Sequence, residues 1–80
     1  MTYEELKKAM AKYCKNEANY SYLQDAVTDY IEKHTKKDRT YKVKMICEDC
    51  FSVRCFLENG DVRNGIEKFK FIKGYIKNLK

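Results

Sequence analysis

The hydrophobic period of this chain shifts at Thr40, and that shift constrains its fold more than any other feature. Up to His34, apolar residues recur every three or four positions; from Tyr41 to Leu57 they read as alternating. The first spacing lays one helix face on a core, and the second lays one strand face there.

Thr2 and Glu5 stand in capping-box relation, so a first helix begins at Thr2. Tyr3, Leu6, Met10, Tyr13 and Cys14 form its apolar stripe, with Ala9 at the edge, and Glu4, Lys7, Lys8, Lys12 and Lys15 cover the other side. Asn16 to Asn19 breaks the pattern. Ser21 and Gln24 then read as a second capping box, followed by Leu23, Ala26, Val27, Tyr30, Ile31 and His34 on one face. The short joint predicts an antiparallel helix hairpin, ending in the polar run Lys36-Lys37-Asp38-Arg39.

Beyond Thr40 the alternation predicts a β-hairpin. A three-residue loop, Glu48 to Cys50, puts Tyr41, Val43, Met45, Cys47, Phe51, Val53, Cys55 and Leu57 on one face. A shorter loop would split that set, and a one-residue slip inverts every side chain. The preferred register leaves Cys50 where such loops favour a left-handed glycine, a local conflict. Asn59-Gly60 is a type I′ turn signal leading to a short third strand at Val62 and Arg63. Asn64 and Glu67 have the spacing of a further cap. Phe69, Phe71, Ile72, Tyr75, Ile76 and Leu79 then form a wide helical stripe, preferred over a longer third strand. The expected fold is therefore α+β, in the order α-α-β-β-β-α: a helix hairpin packed on a small antiparallel sheet, with a C-terminal helix.

At 80 residues the chain is one domain, 1–80, with room for a single core and little for a deep cleft. The absence of proline and the three glycines leave little sequence for long loops. No apolar run is long enough to cross a membrane, and the N-terminus lacks the charged and apolar regions of a signal peptide. The expectation is a cytoplasmic protein with reduced cysteines.

No catalytic constellation, phosphate loop or metalloprotease motif occurs. Cys47-x-x-Cys50 is the one metal-like spacing, but a structural zinc site needs a second ligand pair that Cys14, His34 and Cys55 do not supply by spacing. His34 lies on a helix stripe without an orienting partner. No enzyme activity, metal or cofactor is expected.

The second sheet face carries Lys42, Lys44, Ile46, Ser52, Arg54 and Phe56, with Arg63 beside Phe56. Lys42, Lys44, Arg54, Phe56 and Arg63 form the candidate partner-binding patch. Cations around an aromatic ring suit an acidic protein surface or, alternatively, phosphates and bases. An ordinary solvated face with edge lysines is the plain alternative. Tyr20 and Tyr22, or the lysine side of the C-terminal segment with Lys70, Lys73 and Lys77, are the next candidate contacts. The net charge of +5 favours an anionic partner without choosing between these classes.

Strands backed by helices resemble the layout of double-stranded RNA-binding domains. The extra N-terminal helix, the short third strand and the missing basic start of the last helix depart from that family. In size and charge the chain is also similar to small phage or mobile-element products that inhibit host defence complexes, anti-CRISPR proteins among them. This likeness is compositional and rests on no motif. The expected function is a non-enzymatic binding protein, an inhibitor or regulator docking on a protein or nucleoprotein. The alternative is a nucleic-acid-binding module using the basic sheet face.

Overall fold

The structure, a computed structural model, describes residues 1–79. It contains four helices: α1 (Tyr3–Cys14), α2 (Tyr20–His34), α3 (Arg39–Glu58) and α4 (Val62–Lys77). No strand occurs among the described residues, so the α+β expectation is overturned. α3 runs unbroken through both expected strands and through the supposed loop at Glu48–Cys50, and the expected third strand is the first turn of α4.

The physical reason lies in a segment apolar at both periods. Val43, Ile46, Cys47, Cys50, Val53 and Leu57 recur every three or four residues, as Tyr41, Val43, Met45 and Cys47 recur every two. No glycine or proline interrupts Arg39–Glu58. As a helix, the segment buries Ile46, Cys47, Cys50 and Val53 together. Tyr41 and Phe51, assigned to the core face of the sheet, are 65% and 53% exposed. The helix also dissolves the conflict at Cys50, which no longer has to be left-handed.

The helix ends follow from local chemistry. At α1, the Thr2 amide donates to Glu5 Oε1 at 2.8 Å and the Glu5 amide donates to Thr2 Oγ1 at 3.2 Å, the expected capping box. α2 is capped by Asn19, whose Oδ1 accepts from the Tyr22 amide at 2.8 Å, and not by Ser21 and Gln24. α4 is capped by Asp61, three residues before the expected Asn64. Asn16 (φ 64°) ends α1, with the Glu17 amide donating to Lys12 O at 2.9 Å. Gly60 (φ 79°) ends α3, with the Asp61 amide donating to Phe56 O at 2.8 Å. Both are Schellman closures, which require a left-handed residue after the C-cap. Asn59-Gly60 is thus not the expected type I′ hairpin turn: Asn59 has φ −88° and is the C-cap of α3, and the turn joins two helices.

Successive helices run antiparallel. The Met1 amino group lies 3.5 Å from Asp29 late in α2, and Lys68 of α4 lies 3.5 Å from Asp49 of α3. α1, α2 and α3 pack mutually, whereas α4 packs chiefly on α3. The core holds Leu6, Met10 and Tyr13 of α1, Leu23, Val27, Tyr30 and Ile31 of α2, the buried face of α3, and Ile72 and Ile76 of α4. The α1 and α2 stripes are buried as expected, except that Tyr3 is half-buried and His34 exposed. No helix among the described residues is long and apolar enough to cross a membrane.

Candidate partner-binding groove

The five residues grouped by strand parity do not share a face once α3 is helical, because consecutive residues turn by about 100°. Lys42 and Arg54 are also engaged within the fold, while Lys44 and Arg63 stay exposed with only a loose acid one turn away. Lys42 Nζ donates to Lys37 O at 2.8 Å and to Thr35 Oγ1 at 3.1 Å, bracing the α2–α3 joint. Lys44 lies 4.0 Å from Glu48 and Arg63 lies 3.7 Å from Glu67, each one helical turn away. Arg54 is half-buried, 3.0 Å from Glu58. Its guanidinium lies over the Tyr13 ring at 5.0 Å and donates to Asn16 Oδ1. It therefore ties α3 to the end of α1. Phe56 sits on the other side of α3, beside Gly65 and in a shallow hollow with Lys68 and Phe71 of α4. The structure brings Phe56 near α4 but does not bring the five residues together.

A different surface concentrates apolar and cationic groups. α1 and α4 flank α3 without packing closely on each other, leaving a groove between them. One section, about 210 Å³, is lined by Ala11, Cys14, Val53, Leu57, Gly65, Ile66 and Phe69, with Lys15, Lys70 and Lys73 at its rim. α3 supplies its floor through Val53 and Leu57. The close approach of α4 there depends on Gly65, where a Cβ would lie 3.0 Å from the Leu57 side chain. Ile66 remains 51% exposed. The second section shares Lys70 and Lys73 and adds Tyr3, Glu4, Lys7, Gly74 and Lys77.

Rings on both walls position the cations. Lys7 and Lys77 lie 5.8 and 5.3 Å from the Tyr3 ring centre, and Lys73 lies 5.3 Å from that of Phe69. Lys7 pairs with Glu4 at 3.0 Å, which holds the carboxyl below its ordinary range. Among the described residues, none of Lys15, Lys70, Lys73 and Lys77 has a carboxylate within ion-pair distance. An apolar trough edged by ammonium groups without a close ion-pair partner can take an amphipathic anionic partner. Sequence reasoning offered the lysine side of the C-terminal segment only as a secondary contact and missed the groove, because no local spacing links α1 to α4. The visible trace was the run of lysines at 68, 70, 73 and 77 among aromatic residues.

The cysteines serve the interior. Cys14, Cys47 and Cys50 are buried and Cys55 is half-buried, all as free thiols. Cys14 Sγ donates to Cys50 O at 3.6 Å across the α1–α3 contact. Burial pushes the Cys47 thiol up to about 11, and the neighbouring Cys14 together with burial pushes Cys50 up as well. Both stay protonated at neutral pH, whereas metal binding and nucleophilic attack need the thiolate. Among the described residues no three His, Cys, Asp or Glu side chains cluster as ligands. His34 stacks on Tyr30 at 3.8 Å, with Nδ1 2.8 Å from Tyr30 O, where it can donate to the carbonyl near the end of α2.

A second hollow, between α2 and α3, is larger at about 410 Å³ but carries charges of both signs, Glu32 against Arg39 and Lys44. The apolar section of the α1–α4 groove, by contrast, carries only lysines among its charged lining residues, and Glu4 enters only in the second section, paired with Lys7. No protein-family model, curated protein or solved structure matches the chain.

Proposed function

We propose that this chain is a non-enzymatic binding protein, an inhibitor or regulator that acts by engaging an acidic protein partner along the α1–α4 groove. One observation carries the reading: an apolar trough on the surface of so small a domain, lined at its edge by Lys15, Lys70 and Lys73, none of which has a carboxylate within ion-pair distance among the described residues. Cations held on ring faces, with no carboxylate beside them, keep charge to offer a ligand, and apolar side chains left in water gain when covered. Interfaces commonly combine such an apolar centre with a charged rim.

Affinity capture from the native host tests the proposal. Wild type should retain a protein with an acidic contact surface, and a Lys70→Glu/Lys73→Glu variant with unchanged helicity should lose it. Retention of the same protein by both forms contradicts the groove as the site. Predominant capture of nucleic acid, with affinity falling steeply with salt, contradicts a protein partner.

A further inference from the structure

The groove's chemistry narrows what can lie in it. Resting on the proposed role of the groove, we infer that its occupant is a short, acidic, amphipathic α-helix of the partner protein. The walls are α1 and α4, whose backbone groups are consumed by their own helical bonds. They offer no strand edge, so an extended segment would lay unpaired amides and carbonyls over the carbon floor of Val53 and Leu57. A helix brings its backbone already satisfied and presents side chains alone, which is the helix-in-groove mode. α1 is 12 residues long, and the groove follows it. At 1.5 Å per residue this is about 18 Å, matching an occupant of about 12 residues.

Charge supports the same choice. Apolar anchors spaced three and four apart would enter beside Ile66 and Phe69, with carboxylates on the flanks facing Lys15, Lys70, Lys73 and Lys77. Nucleic acid fits less well. Its phosphates would lie on an apolar trough, and Lys73 is set over the Phe69 ring, the half-buried aromatic there that a base would need for stacking.

A displayed library of random 14-residue peptides, selected on the full chain and counter-selected on Ile66→Asp, tests the inference. The expected result is enrichment of acidic sequences with apolar residues at i, i+3 or i+4, and i+7. Synthetic copies should gain helicity on binding and bind Ile66→Asp or Lys73→Glu at least about tenfold more weakly. Acidic peptides enriched without helical periodicity, but still lost on Lys73→Glu, would overturn the helix and leave the groove as an acidic-partner site. Failure to enrich anything over Ile66→Asp would overturn both. So would tighter groove-dependent binding of a single-stranded oligonucleotide or of dodecanoate. Sedimentation as a dimer that Ile66→Asp dissociates would identify a second copy as the occupant and overturn the inference.

Discussion

α2 and α4 are nearly equal in length, 15 and 16 residues, yet they use their apolar side chains differently. α2 buries Leu23, Ala26, Val27, Tyr30 and Ile31 between α1 and α3. α4 buries Ile72, Ile76 and Gly65, and leaves Val62, Ile66 and Phe71 more than half exposed. The difference follows from neighbours. α2 is contacted on two sides, whereas α4 leans chiefly on α3 and turns a flank toward the open groove beside α1. Of those three side chains, Ile66 lines that groove, and its exposed half remains available for association.

The largest effect expected from this contrast lies in α2. Leu23 is 0% exposed, so Leu23→Ala should destabilise by about 2–5 kcal/mol through lost burial and a residual cavity, read by urea denaturation. A loss below about 1 kcal/mol would break the comparison by showing that α2 is no better buried than α4.

pH sharpens the same boundary. Cys47 belongs to the buried face of α3, and its thiol is raised from 9.0 to about 11 by burial. A raised acid is bound as the proton form in the folded state, so its stabilisation is whole below about pH 9. It is lost as pH rises through the folded value, over a window from about 9 to 11, for a total on the order of 2–3 kcal/mol. Stability measured across that window should fall, and Cys47→Ala should flatten the fall. An equal slope in both proteins would remove Cys47 as its cause.

A smaller effect, of opposite sign, belongs to α4. Gly74 lies inside the helix, and a Cβ at that position would meet nothing within 4 Å. Gly74→Ala should therefore stabilise by about 0.5–1 kcal/mol through helix propensity. Its thermal midpoint should rise; a fall would mean that α4 packs more closely there than the fold implies.

α1 and α2 were legible because their apolar residues occupy one stripe and their charges the other, so only the helical period fits. α3 was not, since Tyr41, Met45, Phe51, Cys55 and Phe56 extend its apolar surface almost all round and satisfy the strand period too. Its start is also poorly marked. Asp38 is left-handed (φ 50°) and caps nothing with its side chain, and no acid occupies the first turn. Burial of Ile46, Cys47, Cys50 and Val53 against three other helices decides the outcome, and that is tertiary.

One helical signal was nonetheless present: Lys44/Glu48, Arg54/Glu58 and Arg63/Glu67 each stand four apart, a spacing that meets on a helix and not on a strand. The same pairs explain the site. Three cations read as open to a partner have acids one turn along their own helices. Asn59-Gly60 was read as a type I′ hairpin turn, but Asn59 has φ −88° and only Gly60 is left-handed, which closes a helix instead. The groove itself had no local signature, because Lys15 and Ile66 meet its lining only after α3 has brought their helices alongside.

Ile66→Asp tests the central claim, that this flank of α4 serves binding more than folding. Ile66 is 51% exposed, so the variant should stay folded and lose no more than about 1–2 kcal/mol, less than Leu23→Ala. The same preparation should lose the acidic partner captured from the native host by wild type. A collapse of the urea midpoint would place Ile66 in the core, and full retention of the partner would place the interface elsewhere; either result contradicts the account.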